Sequence, residues 1–309
     1  MPPEDSIFVE TQWLEDHLND QNLRIVDVRF TRCFSNHDKV GEECLEDYLE
    51  GHIPGAVYID CINDLTDTSI KDIFHVPSPE HFSRAMNRIG VNSQTMVVCY
   101  DEAPYPLGSA RLWWTLLYFG HTHVKILEGG IRKWIKEGRP LSKTVPVVPS
   151  QIFIPNVRGE LRATKETVKR AVENQDTLII GCLSYPQHVG KTRNSWSIRK
   201  GHIPGAVCLP PMELVKGLDR SSPKRDRDES MGNDMPYPFF SKRELQQIFA
   251  QEGVKHGKKV ITYCGKGEAA CSVFLALRIS GISNAAVYDG SLAEWSRDNS
   301  LPMSVGHQI

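Results

Sequence analysis

No stretch of this 309-residue chain approaches the run of about 18 apolar residues that a membrane-spanning helix requires. Charge of one sign is missing too. The 36 Lys and Arg against 38 Asp and Glu leave a formal net charge of −2, so no basic field invites nucleic acid or an acidic lipid surface. The opening MPPEDSIFVE has neither arginine nor an apolar core; no secretory or mitochondrial leader is expected, and a cytoplasmic protein is. Eight cysteines occur, at 33, 44, 61, 99, 182, 208, 264 and 271, yet none forms a CxxC pair or a cysteine–histidine group at zinc-finger spacing. In a reducing compartment most of them should be free thiols packed as small hydrophobes. A cysteine with another task needs a local reason for it.

The chain repeats itself. GHIPGAV at 51–57 returns at 201–207, and KILEGGIRKW at 125–134 returns more loosely as AVYDGSLAEW at 286–295. Each copy alternates short apolar runs with helical patterns; in the first these are Leu23–Val28, a helix near Glu80–Ile89, Met96–Tyr100, a helix near Ser109–Phe119, and Val124–Leu127. Strands alternating with helices predict an α/β fold of two domains, each a mostly parallel sheet with helices on both faces. The expected division is a domain over 1–141, a linker over 142–156 and a second domain over 157–309. The linker reading rests on PLSKTVPVVPSQIFIP at 140–155, with four prolines and no helical period. A polar stretch at 216–238 reads as a surface loop.

One segment of the second copy carries chemistry. Val260–Tyr263 is a short β-branched run, 264–269 reads CGKGEA, and Ala270–Ile279 has helical spacing closed by Gly281. Cys264 is therefore expected at the carboxyl end of a strand and before the amino end of a helix, where ligands of open α/β sheets bind. Free amides and the helix dipole there favour an anion and should lower a thiol pKa. Gly265 and Gly267 allow the backbone to curl its amides toward one point, and Lys266 adds positive charge. A phosphatase cradle needs Cys-x5-Arg to clamp phosphate, and the sixth residue after Cys264 is Ala270. Sulfur transfer fits instead. A thiolate takes the outer sulfur of a donor as a persulfide, which the amides stabilise, and passes it to a second nucleophile, with no metal or organic cofactor.

The paired GHIPGAV elements, VVCYDEAPYPLGSARLWW, YFGHTHVKILEGGIRKW, CGKGEAAC and YDGSLAEW resemble the tandem-rhodanese sulfurtransferases, which act on thiosulfate or 3-mercaptopyruvate. The resemblance covers nearly the whole chain. It implies that Cys264 is the catalytic residue, that Gly265, Lys266, Gly267, Glu268 and Ala269 form the anion-stabilising loop, and that the active site lies between the domains. It further implies a small sulfur donor and a thiol or cyanide acceptor, or a reducing protein such as thioredoxin, with no nucleic-acid or membrane partner. Asp101 stands where the first copy would have its cysteine, so that copy is expected to be non-catalytic. The loop is a hybrid. Gly265 matches mercaptopyruvate enzymes, whereas Lys266 matches thiosulfate enzymes and favours a dianion.

The chain departs from the family at several positions. Glu268 and Ala269 replace Val-Thr, and a carboxylate turned toward Cys264 would raise its pKa. The Asp-x-Arg that usually ends the first strand of the second domain is Gly181-Cys182-Leu183, while the first copy keeps Asp27-Val28-Arg29. His188 and Arg193 stand near the expected substrate arginines. His75 lies where the family histidine of a proton-handling triad falls, with Asp64 a loose match for its aspartate. Arg111 is expected to face the interdomain cleft or to form a helix-surface salt bridge. His52 and His202 are expected to be structural, and Trp113, Trp114, Trp134 and Trp295 to pack. These departures motivate a non-enzymatic alternative, a degenerate tandem-rhodanese binding or regulatory protein.

Overall fold

The computed structural model describes residues 6–29, 42–217, 236–255 and 257–306. The chain divides into two compact units. The first holds the described residues of Met1–Thr68, Val76–Arg158 and Asn233–Pro236; the second holds those of Gly159–Gly232 and Tyr237–Ile309 together with Ser69–His75. Most of the polar stretch at 216–238 lies outside the described residues.

In the first unit the elements run β1 (Phe8–Val9), α1 (Thr11–Asp16), β2 (Leu23–Asp27), α2 (Glu42–Glu50), β3 (Val57–Tyr58), α3 (Pro79–Arg88), β4 (Met96–Tyr100), α4 (Gly108–Tyr118), β5 (Val124–Leu127) and α5 (Gly130–Lys136). Its five strands are ordered β1-β5-β4-β2-β3, and every pair is parallel. In the second unit they run α6 (Lys165–Asn174), β6 (Leu178–Gly181), α7 (Tyr185–His188), β7 (Val207–Cys208), α8 (Lys242–Gln251), β8 (Val260–Tyr263), α9 (Glu268–Ser280), β9 (Ala285–Val287) and α10 (Ser291–Trp295). Its four strands are ordered β7-β6-β8-β9, again all parallel. The interior strands β5 and β8 are buried along their whole length, as strands covered on both faces must be.

The repeated motifs do the same structural work twice. In the GHIPGAV turns, the amides of Ile53 and Ile203 donate to the hydroxyls of Tyr100 and Tyr263 at 3.2 and 3.0 Å, tying each turn to the central strand of its own unit. His52 stacks on Tyr48 with ring centres 4.1 Å apart, and His202 on His188 at 3.8 Å. Both histidines are therefore packing elements. Trp134 and Trp295 are each fully buried, with their indole N–H donating to the carbonyls of Pro140 and Pro302 at 2.8 and 2.9 Å. Trp113 and Trp114 are buried in α4.

The proline-rich segment contains no helix, but it is pinned to the first unit. Phe153 is buried against Phe82, and the amides of Gln151, Asn156 and Arg158 donate to the carbonyls of Asn87, Phe119 and Tyr118. Among the described residues six cysteines are free thiols, and Cys44 is disulfide-bonded. Among the described residues no helix is long and apolar enough to cross a membrane.

Candidate active site

The β-branched run Val260–Tyr263 ends at Cys264, three loop residues follow, and α9 starts at Glu268. The helix thus begins two residues before the apolar period does, and Glu268 and Ala269 form its first turn rather than the loop. A glutamate is well placed there, because its charge complements the amide end of the helix dipole. Gly267 caps α9 at φ 114, and no cap side chain accepts from the first turn. The acceptor is the sulfur: the Gly267 amide donates to Cys264 Sγ at 3.0 Å.

The loop carbonyls point the other way. Cys264 and Gly265 accept from the amides of Leu292 and Ala293 at 3.1 and 2.8 Å. The Cys264 amide donates to Ser291 Oγ at 3.0 Å, and that hydroxyl donates to the Tyr288 carbonyl at 2.8 Å. To reach this position Ser291 adopts φ 50, a left-handed conformation that costs a non-glycine residue on the order of 1 kcal/mol or more. Gly130 stands at the matching place in the first copy with φ 55. A Cβ at Gly265 would sit 2.7 Å from Asn194 Oδ1, so a larger residue there would have to displace the Asn194 side chain. The sequence reading passed over Ser291 and Asn194; only the DGS/EGG correspondence in the repeat pointed to the former.

Burial pushes the Cys264 thiol up, and Glu268 adds to it; the amides of Gly267, Ala270 and Lys266 work against both without reversing them. The sequence reading expected a lowered pKa, and the structure overturns it, because the cysteine is only 4% exposed and a buried carboxylate stands beside it. Lys266 does not simply offer its charge to the sulfur. Its ammonium lies 4.5 Å from the Phe74 ring centre, 4.3 Å from that of Trp196 and 3.5 Å from Glu268 Oε1. It is enclosed by two aromatic faces and matched by a carboxylate.

The other expected residues separate. His75 Nε2 is 3.2 Å from Glu294 Oε2, which also accepts from the Tyr288 hydroxyl at 2.8 Å. Burial alone would raise Glu294, but the bonds from His75 and Tyr288 outweigh it and hold the carboxyl below its usual range. The carboxylate beside His75 is therefore Glu294. Asp64, the loose match from sequence, belongs to the first unit and accepts from Arg88 and the Asp60 amide. His188 is buried, with its ring stacked on His202 at 3.8 Å. Arg193 is exposed and donates to the Ser197 carbonyl at 2.6 Å, which orders its own turn. Arg111 is buried in the first unit, 5.1 Å from the Trp114 ring centre, and donates to the Leu65 carbonyl. It is not on a helix surface.

The first unit shows what such a cradle holds. Asp101, at the tip of β4, accepts from the amides of Leu107 and Ser109 at 2.9 and 2.8 Å, from the Ser109 hydroxyl at 2.9 Å and from the Ala103 amide at 3.2 Å. A carboxylate there receives the bonds that α4 lacks from its own cap residue. The Asp27–Arg29 pair, at 2.7 Å, is structural as well: Tyr100 donates to Asp27 and Arg29 to the Gly51 carbonyl of the GHIPGAV turn. In the second unit Gly181 leaves that space to Tyr263 and His188, whose Oη and Nδ1 would be 2.9 and 3.3 Å from a Cβ at 181. The loss of Asp-x-Arg is thus a repacking behind the GHIPGAV turn.

The rhodanese-like domain matches this chain twice, over residues 10–137 and 164–298. The 3-mercaptopyruvate sulfurtransferase of Escherichia coli strain K12 is 31% identical over 304 residues, covering 96% of this chain and 97% of its own. The thiosulfate sulfurtransferase of Rattus norvegicus is 28% identical over 301 residues, covering 94% and 92%. The sulfur carrier protein TtuD of Thermus thermophilus is 28% identical over 315 residues, covering 98% of each. The crystal structure of Escherichia coli SseA, described with the rhodanese fold of 3-mercaptopyruvate sulfotransferases, superposes with a TM-score of 0.78 at 30% identity, covering 93% of this chain and 98% of SseA.

Proposed function

The chain belongs to the rhodanese family and is an enzyme of the sulfurtransferase type, and from that premise we propose that Cys264 carries a sulfane sulfur from a small anionic donor to a thiol or cyanide acceptor. The observation that carries this reading is the Gly267 amide on Cys264 Sγ at 3.0 Å, at the uncapped amino end of a 13-residue helix. The Cys264 thiolate attacks the outer sulfur of the donor. The bond from that sulfur to the rest of the donor breaks and leaves sulfite from thiosulfate, or the enolate of pyruvate, which then takes a proton, from 3-mercaptopyruvate. The outer sulfur becomes the anionic end of Cys264–S–S⁻, held by the amides of residues 266, 267 and 270. A second nucleophile, a small thiol, cyanide or a thioredoxin-like dithiol, removes it and returns the Cys264 thiolate. Residues 157–309 form the catalytic domain in this reading, and residues 1–141, with Asp101 in the corresponding cradle, the non-catalytic one.

Between the two donors, the surroundings of Lys266 favour 3-mercaptopyruvate. Lys266 and Glu268 together bring no net charge to the loop, so the dianion gains little over the monoanion. Gly265 adds to this, since the Asn194 side chain fills the space that an arginine of the thiosulfate type would need. Intact-mass measurement of the reduced protein after exposure to 3-mercaptopyruvate or thiosulfate is the test. A gain of one sulfur atom, removed by cyanide and absent in Cys264→Ser, is the expected result; a gain that survives Cys264→Ser overturns the assignment.

A further inference from the structure

Cys264 has a second thiol beside it. Strands β6 and β8 are parallel neighbours in register from Leu178–Val260 to Gly181–Tyr263. The Cys182 amide donates to the Tyr263 carbonyl at 2.7 Å, which carries the ladder one residue further and sets Cys182 next to Cys264. Side chains alternate along a strand. Gly181 faces the Tyr263 hydroxyl, 2.9 Å from where a Cβ would stand, so Cys182 and Cys264 both face the opposite side of the sheet. Adjacent strands run about 4.8 Å apart, inside the Cα separation of roughly 4.4–6.8 Å that disulfides use. Cys264 is the first residue past the strand, so the pair sits where the ladder opens into the loop. Cys208 shares register with Gly181 and therefore faces the other way. Burial raises the Cys182 thiol, and of the thiols around it Cys264 contributes most to that rise.

We propose that Cys182 is a resolving cysteine, which converts the Cys264 persulfide to an internal Cys182–Cys264 disulfide and expels the outer sulfur as hydrosulfide. This rests on the reading of Cys264 as a persulfide carrier. The Cys182 sulfur bonds to Cys264 Sγ, and the bond from Cys264 Sγ to the outer sulfur breaks. That sulfur leaves with the bonding pair and takes up the Cys182 proton. The sulfane sulfur is reduced to sulfide and the two cysteine sulfurs are oxidised to the disulfide, so no outside oxidant or reductant enters. Cys182 holds its proton at neutral pH, so its attack is slow beside that of an acceptor thiolate, and the pair closes only when acceptor is scarce. A dithiol reductant must then reopen the site, so each chain releases a single sulfide until it is reduced.

The test charges the reduced full-length protein with 3-mercaptopyruvate, without acceptor, and follows sulfide release and non-reducing peptide maps. Wild type should release one sulfide per chain, lose two thiols and show the Cys182–Cys264 peptide pair. Cys182→Ala and Cys182→Ser should keep the persulfide and release none, while Cys208→Ala should behave as wild type. A second arm treats the reduced protein with hydrogen peroxide, which oxidises Cys264 to a sulfenic acid that Cys182 condenses with, expelling water; it needs no sulfur transfer. A persulfide that stays on wild-type Cys264, or a disulfide from Cys264 to Cys271 or Cys208 in either arm, overturns the proposal. If no persulfide forms but peroxide yields the Cys182–Cys264 bond, the pairing stands and the sulfur-transfer reading falls.

Discussion

At the scale of single residues the site is a contest between amides and a carboxylate. Burial and Glu268 keep the proton on Cys264, and the helix amides oppose them. The sign follows directly. A thiol whose pKa is raised has a smaller thiolate fraction at neutral pH, so its alkylation should accelerate only at higher pH than for an ordinary cysteine. Glu268→Gln removes the like charge and should move that midpoint down by on the order of one pH unit, which is about tenfold in alkylation rate near neutrality. Iodoacetamide kinetics across pH measure it, and an unmoved midpoint would show that the carboxylate is screened from the sulfur. The same variant leaves the Lys266 charge unmatched, so its kcat/KM should rise more for thiosulfate than for mercaptopyruvate. Equal changes for both donors would mean that loop charge does not select the donor. None of this balance was readable from the loop alone. Glu268 could be seen as a risk to the thiolate, but Phe74 and Trp196, which enclose Lys266, lie far away along the chain.

At the scale of elements, what was local could be read and what was long-range could not. Val260–Tyr263 announces β8 by its β-branched run, and Gly281, at φ 91, ends α9 as its position suggested. The start of α9 was misread because Glu268 and Ala269 interrupt the apolar period, although both suit a first helical turn. The Asp-x-Arg motif of the first copy was visible in the sequence, but not that Asp27 and Arg29 spend their bonds on Tyr100 and the Gly51 carbonyl. His75 was singled out from sequence, whereas Glu294, the carboxylate 3.2 Å from it, was hidden in a helix of the other repeat. The junction of α9 with α10 yields a prediction about stability. Ser291→Ala strands the buried Cys264 amide and keeps the left-handed backbone, at a cost of about 2–3 kcal/mol. Ser291→Gly loses the same bond but relieves the backbone, so it should fall between wild type and the alanine variant. Urea unfolding of the three proteins gives the order; an alanine variant as stable as the glycine one would show that φ 50 carries no cost here.

At the scale of the whole molecule the chain is one design used twice with a single decisive exchange at the strand tip. Both units place a side chain from the tip of a central strand onto the amino end of the following helix. In one it is the Asp101 carboxylate, and in the other the Cys264 sulfur. Asp101 is an acceptor matched by the protein's own donors, the amides of Leu107, Ser109 and Ala103 and the Ser109 hydroxyl, which fill the first cradle from within. Cys264 presents a sulfur that chemistry can extend by one atom. The roles of the two units should therefore come apart under mutation. Asp101→Ala removes the acceptor for two backbone amides of the α4 entry and should destabilise the first unit by about 2–3 kcal/mol. Burial holds the Asp101 carboxyl above its ordinary value even against those bonds. Its contribution to stability is then greatest at low pH and is lost as pH rises through that raised value, so the wild-type advantage over Asp101→Ala should narrow toward neutrality. Thermal unfolding from acid to neutral pH, read alongside Cys264 alkylation, tests both halves. A lower midpoint with an unchanged alkylation rate is expected. A first-unit variant that unfolds like wild type, or that slows Cys264 while remaining folded, would show that the first cradle is more than a sealed copy of the second.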